Sequence, residues 1–265
     1  MKKLITVVIV GLLVLTLALA QTQDKKQEKQ SDNQNKSDRK ELKTDPPQDP
    51  FVVAPKAYKR EFENERIRVT RVRYEAREVI ESHDHPKLPT VYVYLSDSGP
   101  VRFIHTGDEK FITVRPAVKA GGFRLGRPAN ETHKVESLSD QPSDFLRVEL
   151  KDLTVDNTFR GRFPPEANQT AESSEKVGFE NPQLRVVRAT CASRSACALT
   201  AQKSPYLLIA LASSELKTAT NDRALSDLKM TPGQTFWVEA GDRLRLENPG
   251  NMPARFLRIE LKAAS

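Results

Sequence analysis

A self-match constrains this chain more than any other feature. Phe62-Glu63-Asn64 recurs as Phe179-Glu180-Asn181, and each copy leads within a few residues to an Arg-Val-x-Arg segment, Arg68 to Arg71 and Arg185 to Arg188. Leu146-Arg-Val-Glu-Leu-Lys151 recurs as Leu257-Arg-Ile-Glu-Leu-Lys262. The copies stand 117 residues apart at the start and 111 at the end, so the second is slightly shorter. A unit that recurs in this way is one supersecondary assembly built twice. Two copies of one domain therefore account for most of residues 60–262.

Each copy reads as strands. Leu146, Val148 and Leu150 alternate with Arg147, Glu149 and Lys151, and Leu257, Ile259 and Leu261 alternate with Arg258 and Glu260. A period of two predicts the apolar set in a core and the charged set in solvent. Val91 to Leu95 and Tyr206 to Ala210 are apolar on both faces and read as fully buried strands. The apolar parity flips between Ile67/Val69 and Val72/Tyr74, which predicts a bulge near Thr70. Turn signals separate the runs at Ser98-Gly99-Pro100, Gly121-Gly122, Pro232-Gly233 and Asn248-Pro249-Gly250. No long helical period intervenes. Many short strands with closely spaced turns predict an all-β fold, a sandwich or barrel in each half.

The first fifty residues stand outside this pattern. Lys2 and Lys3 precede an apolar run from Leu4 to Ala20 that ends Ala18-Leu19-Ala20, the form of a signal peptide over residues 1–20. A retained membrane anchor is the alternative, although seventeen residues at about 1.5 Å each fall short of a bilayer core of about 30 Å. Residue 21 is Gln rather than Cys, which argues against a lipid anchor at the cut. Residues 21–50 carry no aromatic side chain and seven charges of each sign, so they read as a disordered polar tether. The domains are then an N-terminal unit over 51–151, a linker over 152–177 and a C-terminal unit over 178–265. Export to a periplasmic or extracellular space follows, and it permits oxidised cysteines. The net charge of +7 divides as +2, 0, +3 and +2 over residues 1–20, 21–50, 51–151 and 152–265. No segment is a basic block, so a nucleic-acid partner is excluded and contact with a membrane is confined to the signal peptide.

His83 and His85, two apart, share one face of a strand, and His133 lies on a later apolar–polar alternation. In a barrel a facing strand carries the third imidazole to the same point, and three neutral imidazoles suit Zn, Fe, Ni or Cu. At these residues the sequence resembles the cupin superfamily, in particular a bicupin with two jelly-roll barrels in tandem. The family's His-x-His motif looks like Ser82-His83-Asp84-His85-Pro86. Its second motif looks like Pro128-Ala-Asn130-Glu-Thr-His133-Lys-Val-Glu-Ser137, and Ala240-Gly241-Asp242 resembles the stretch before that motif. The resemblance implies one divalent transition metal (Fe, Mn, Ni, Cu or Zn) in the N-terminal barrel on His83, His85 and His133.

The departures are specific. The family's glycine six residues before the first histidine is Arg77, and its metal-binding glutamate would fall at Pro89 or Thr90, neither a carboxylate. Asn130 replaces a glycine whose left-handed conformation asparagine can adopt, and Ser137 replaces an asparagine. Glu81 and Glu131 are candidates to support the ligands or exchange protons, with solvated rim charges as the alternative. His105 has no partner spacing and reads as a surface or turn residue. Aligned on the repeat, His83, His85 and His133 fall on Thr200, Gln202 and Leu244, so no metal is expected in the C-terminal barrel.

Cys191 and Cys197 are too far apart on a straight strand to bridge, about 20 Å at 3.3 Å per residue. The matching stretch Tyr74 to Ile80 reads as strand, turn, strand, and the same turn would join the thiols in a disulfide. Two small buried thiols are the alternative. The expected partner is a small molecule held in one or both barrels, with a homodimer also open through strand pairing. Two readings of function follow: an exported small-molecule-binding protein, or a metal-dependent enzyme of dioxygenase or isomerase type using His83, His85 and His133.

Overall fold

The computed structural model describes residues 48–262 except 108, 109, 198, 201 and 222. The expected signal peptide, residues 1–20, and residues 21–47 of the expected tether lie outside the described residues. The last tether residues, Gln48 to Pro50, sit against the first barrel: the Gln48 carbonyl accepts the backbone N–H of Asp84 at 2.9 Å. Asp49 then caps a single helical turn, α1 (Pro50–Val53), by accepting from the Phe51 N–H at 2.8 Å.

The first copy runs β1 (Tyr58–Glu63), β2 (Ile67–Tyr74), β3 (Val79–His85), β4 (Thr90–Tyr94), β5 (Val101–His105), β6 (Phe111–Arg115), β7 (Phe123–Gly126), β8 (Glu131–Ser137) and β9 (Ser143–Leu150). After β10 (Gly161–Phe163), the second runs β11 (Ser174–Glu180), β12 (Leu184–Cys191), β13 (Ser195–Ala196), β14 (Tyr206–Ala210), β15 (Ser214–Thr220), β16 (Ser226–Met230), β17 (Thr235–Val238), β18 (Leu244–Asn248) and β19 (Ala254–Leu261). A large sheet ordered β1-β2-β9-β4-β7 faces a smaller one ordered β3-β8-β5-β6. The second copy repeats both orders strand for strand, β11-β12-β19-β14-β17 and β13-β18-β15-β16. The linker stretch 152–177 is partly structured, because β10 extends the first large sheet by pairing with β7 and Ser174 opens β11.

The largest apolar cluster lies between the barrels. Leu146, Val148 and Leu150 of β9 pack in one group with Leu257, Ile259 and Leu261 of β19, so the two large sheets meet back to back. At about 1.5–3 kcal/mol for each fully buried aliphatic side chain, this seam holds the copies together. It also overturns the expectation that the charged faces of these strands meet solvent. Arg147, Glu149, Arg258 and Glu260 are 5%, 2%, 0% and 3% exposed. They point into the barrel interiors as ion pairs, Arg147 Nε to Glu149 at 2.9 Å and Arg258 Nε to Glu260 at 2.7 Å. Alternation distinguished two faces correctly, but both are covered.

The parity flip in β2 has the same cause. Ile67 and Val69 belong to the seam, while Val72 and Tyr74 belong to the barrel interior. Strand β2 pairs with β9 without a break, and the bulge lies in β1 between Arg60 and Phe62, opposite Thr70 and Val69. Strand β11 repeats it between Val177 and Phe179.

Between β2 and β3, Arg77 has φ 59°, and at the same point of the second copy Arg194 has φ 53°. Arg77 therefore adopts the left-handed conformation that favours glycine. Asn130 is not among the residues of positive φ, contrary to expectation. The turn at Arg194 brings Cys191 and Cys197 to a Cα separation of 4.7 Å, and they form a disulfide.

Candidate metal centre

Strand β3 presents His83 and His85 to the barrel interior because they are two apart. A register shift between Ile80 and His83 sets His83 opposite His133 and His85 opposite Glu131 on β8. Strand β5 flanks β8 on its other side, with His105 opposite His133. One row of imidazoles thus crosses three neighbouring strands. The ring centroids are 5.0 Å apart for His83–His85, 4.9 Å for His83–His133 and 5.2 Å for His85–His133. One nitrogen from each ring lies within 4.8 Å of the other two, and all three residues are buried. Nitrogens sharing an ion at about 2.1 Å stand about 4 Å apart or less, against the 4.8 Å within which these three lie.

The chemistry of this donor set fits a divalent metal. Burial pushes the pKa of each imidazole down, modestly for His83 and strongly for His85 and His133. The Arg147 charge adds to this in all three, and neighbouring rings lower two of them further, His133 and His83 acting on His85, and His83 and His105 acting on His133. All three are held neutral, the form that binds metal. The Nδ1 of His83 lies 2.8 Å from the Glu81 carbonyl, which can only accept, so Nδ1 carries the proton and Nε2 the lone pair. The Tyr58 hydroxyl, 2.9 Å away, donates to that lone pair and in turn accepts from Tyr74 at 3.1 Å. Burial raises both tyrosine pKa values, keeping them as donors. The Nδ1 of His133 is buried without a hydrogen-bond partner.

The two glutamates divide. The Glu81 carboxylate is exposed and pairs with Lys134 at 3.3 Å, so the residue supports His83 through its backbone alone. Glu131 is different: its carboxylate lines the cavity and accepts from Arg147 at 3.1 Å. Burial acts to raise its pKa, but Arg147, Arg115 and Arg124 together pull it below the usual value and keep it ionised. At the position expected for a metal-binding glutamate, Thr90 is buried and donates to the Leu88 carbonyl at 3.1 Å.

His105 is not a surface residue. It is 6% exposed, stacks on Phe111 at 4.1 Å and approaches His133 at 5.3 Å. Sequence reasoning also missed Tyr58 and Arg147. Arg147 donates to Glu149, Glu131 and the Tyr92 hydroxyl, and its recurrence as Arg258 beside Glu260 was the available signal. Among the described residues, His83, His85 and His133 form the one such group. In the second barrel β13 ends at Ala196, Thr200 is exposed, and Leu244 opens β18.

Against His85, His133 and Glu131 lies a cavity of about 60 Å³. An outer mouth of about 700 Å³, lined by His105 and Phe111, shares Arg115, Arg124, Glu131 and Arg162 with it. A third recess of about 450 Å³, beside Asp49 to Phe51, reaches His85 and Arg147.

No family model and no curated protein matches this sequence. Solved structures do. AerE from Microcystis aeruginosa superposes with a TM-score of 0.55 at 10% identity, over 78% of this chain and 98% of that one. A point mutant of oxalate decarboxylase from Bacillus subtilis gives 0.53 at 11%, over 75% and 70%. The putative glyoxylate-induced protein from Pseudomonas aeruginosa gives 0.53 at 14%, over 77% and 79%. At such identities the likeness establishes the fold alone: two jelly-roll barrels of cupin type in tandem.

Proposed function

We propose that the N-terminal barrel holds one divalent transition metal on His83, His85 and His133 and binds a small molecule beside it, in an exported protein. The observation that carries this reading is the convergence of three buried imidazoles, each held neutral, with the His83 tautomer set by the Glu81 carbonyl. A bound metal would supply a Lewis acid that polarises an oxygen of the ligand. The protein's own part is to keep the site dry, to orient His83 and to place the ionised Glu131 at the cavity wall. The C-terminal barrel, with Leu244 in place of His133, serves as a packing partner through the seam.

Metal analysis of the purified protein tests this: one equivalent is expected, lost in His83→Ala and His133→Ala. Absence of stoichiometric metal, unchanged by either substitution, overturns it.

A second reading is a metal-dependent enzyme of dioxygenase or isomerase type on the same three histidines. Glu131 favours it, since an ionised carboxylate in the cavity wall is placed to accept a proton from a bound molecule. Fold neighbours named as enzymes, a salicylate 1,2-dioxygenase and an oxalate decarboxylase, are compatible with an enzyme on this fold. Turnover that rises with added metal and falls in Glu131→Gln would select this reading over binding alone.

A further inference from the structure

Arg147 already gives its Nε and Nη1 donors to Glu149, Tyr92 and Glu131. Two other arginines in the same cavity give none of theirs. The side chains of Arg115, at the end of β6, and Arg124, on β7, make no hydrogen bond or ion pair with any described residue, and the Nε of Arg124 is buried without a partner. Each guanidinium instead lies over an aromatic ring, Arg124 at 3.8 Å from the Tyr92 centroid and Arg115 at 4.6 Å from that of Phe103. Stacking uses the face of a guanidinium and leaves its in-plane N–H fork free.

The two charges are also only partly compensated: the ionised Glu131 faces both, but no hydrogen bond joins it to either. Burial and then the nearby Arg124 charge pull the Arg115 pKa down. Among the described residues, Glu131 is the one carboxylate lining both the inner cavity and the mouth, and it is taken by Arg147. Lys87 and Arg162 add further positive charge at the mouth. Half-buried cations with unused donors are unfavourable unless an anion completes them. A carboxylate matches two adjacent forks in charge and geometry.

We infer that the N-terminal barrel takes a small organic carboxylate, its acid group held between Arg115 and Arg124 where the inner cavity meets the mouth. The inner cavity is small beside the mouth, about 60 Å³ against about 700 Å³, so it is a small group that reaches His85 and His133. The body of the ligand occupies the wider mouth beside Phe111. This inference rests on the reading of the N-terminal barrel as a small-molecule site, and it does not require the metal.

Isothermal titration of the purified protein with acetate, malonate and benzoate, each against its neutral amide, tests it. At least one acid is expected to bind about tenfold or more tightly than its amide. Arg115→Gln and Arg124→Gln should each weaken that acid about tenfold and leave the amide unchanged. Should a Gln variant fail to fold, Arg→Lys at the same position keeps the charge, loses the fork and should still weaken the acid. Equal binding of acid and amide, failure of every acid, undiminished binding in the folded variants, or preference for inorganic phosphate overturns the inference. Metal content of the same samples separates the two proposals: acid binding without metal leaves this one standing and removes the metal reading, and metal without acid binding does the reverse.

Discussion

Tyr58 gives its hydroxyl proton to Nε2 of His83 across 2.9 Å, on the only nitrogen of that ring left with a lone pair. A metal on His83 must displace that donor. Tyr58→Phe should therefore bind Zn²⁺ more tightly, by about fivefold, because a net hydrogen bond of about 1 kcal/mol no longer competes. The metal-free variant should be about 1 kcal/mol less stable, since Tyr74 and His83 both lose a partner. Titration calorimetry checks the first effect and urea unfolding the second. Weaker Zn²⁺ binding in Tyr58→Phe would instead make the hydroxyl a support for the ion.

The three neutral imidazoles make the metal-free protein acid-sensitive. Their pKa values are depressed in the fold, mainly by burial, while in the unfolded chain they return to about 6.5. Below about pH 6.5 the unfolded state binds protons that the native state refuses, so stability is full above that pH and declines as the pH falls through it. His133→Leu, which installs the side chain found at Leu244, should flatten this decline. Urea midpoints from about pH 8 to 5 in the presence of a chelator provide the check; an identical slope in variant and parent would sink the explanation.

Arg147 neutralises two carboxylates inside the first barrel. Arg147→Met should cost about 3–5 kcal/mol, because Glu149 is left charged and buried. Adding Glu149→Gln should recover part of that loss. Chemical denaturation of the two single variants and the double variant measures the coupling, and strict additivity would refute it.

The disulfide acts on the second barrel. Closing so short a loop contributes about 2 kcal/mol by the chain-entropy account, so dithiothreitol should lower the unfolding temperature. Metal content should stay unchanged, since the bridge lies at the β12–β13 corner and the histidines lie in the other barrel. Loss of metal on reduction would show that the seam couples the two barrels.

Much of the architecture was legible because its signals are local in the chain. The self-match anticipated two copies with one strand order, and period-two runs marked β9 and β19 as strands. The spacing of Cys191 and Cys197 about a turn anticipated their bond, because the first copy displayed the same turn. Arg77 was read as a departure from a glycine pattern, yet its backbone takes the glycine conformation.

The rest depended on contacts between distant segments. Alternation along β9 announces two unlike faces, but only the meeting of the large sheets decides that the aliphatic face forms the seam and Arg147 faces inward. His105 has no spacing signal because its neighbour His133 is reached through strand register, and register is set across the sheet. Glu81 and Glu131 look alike as residues flanking histidines, and only the folded barrel turns one carboxylate to Lys134 and the other to Arg147. Sequence alone determined the repeat, the strands and which residue types were present, since these follow from short-range pattern. Tertiary structure decided what covers each face and which side chains share a cavity, because burial and proximity belong to the packed chain.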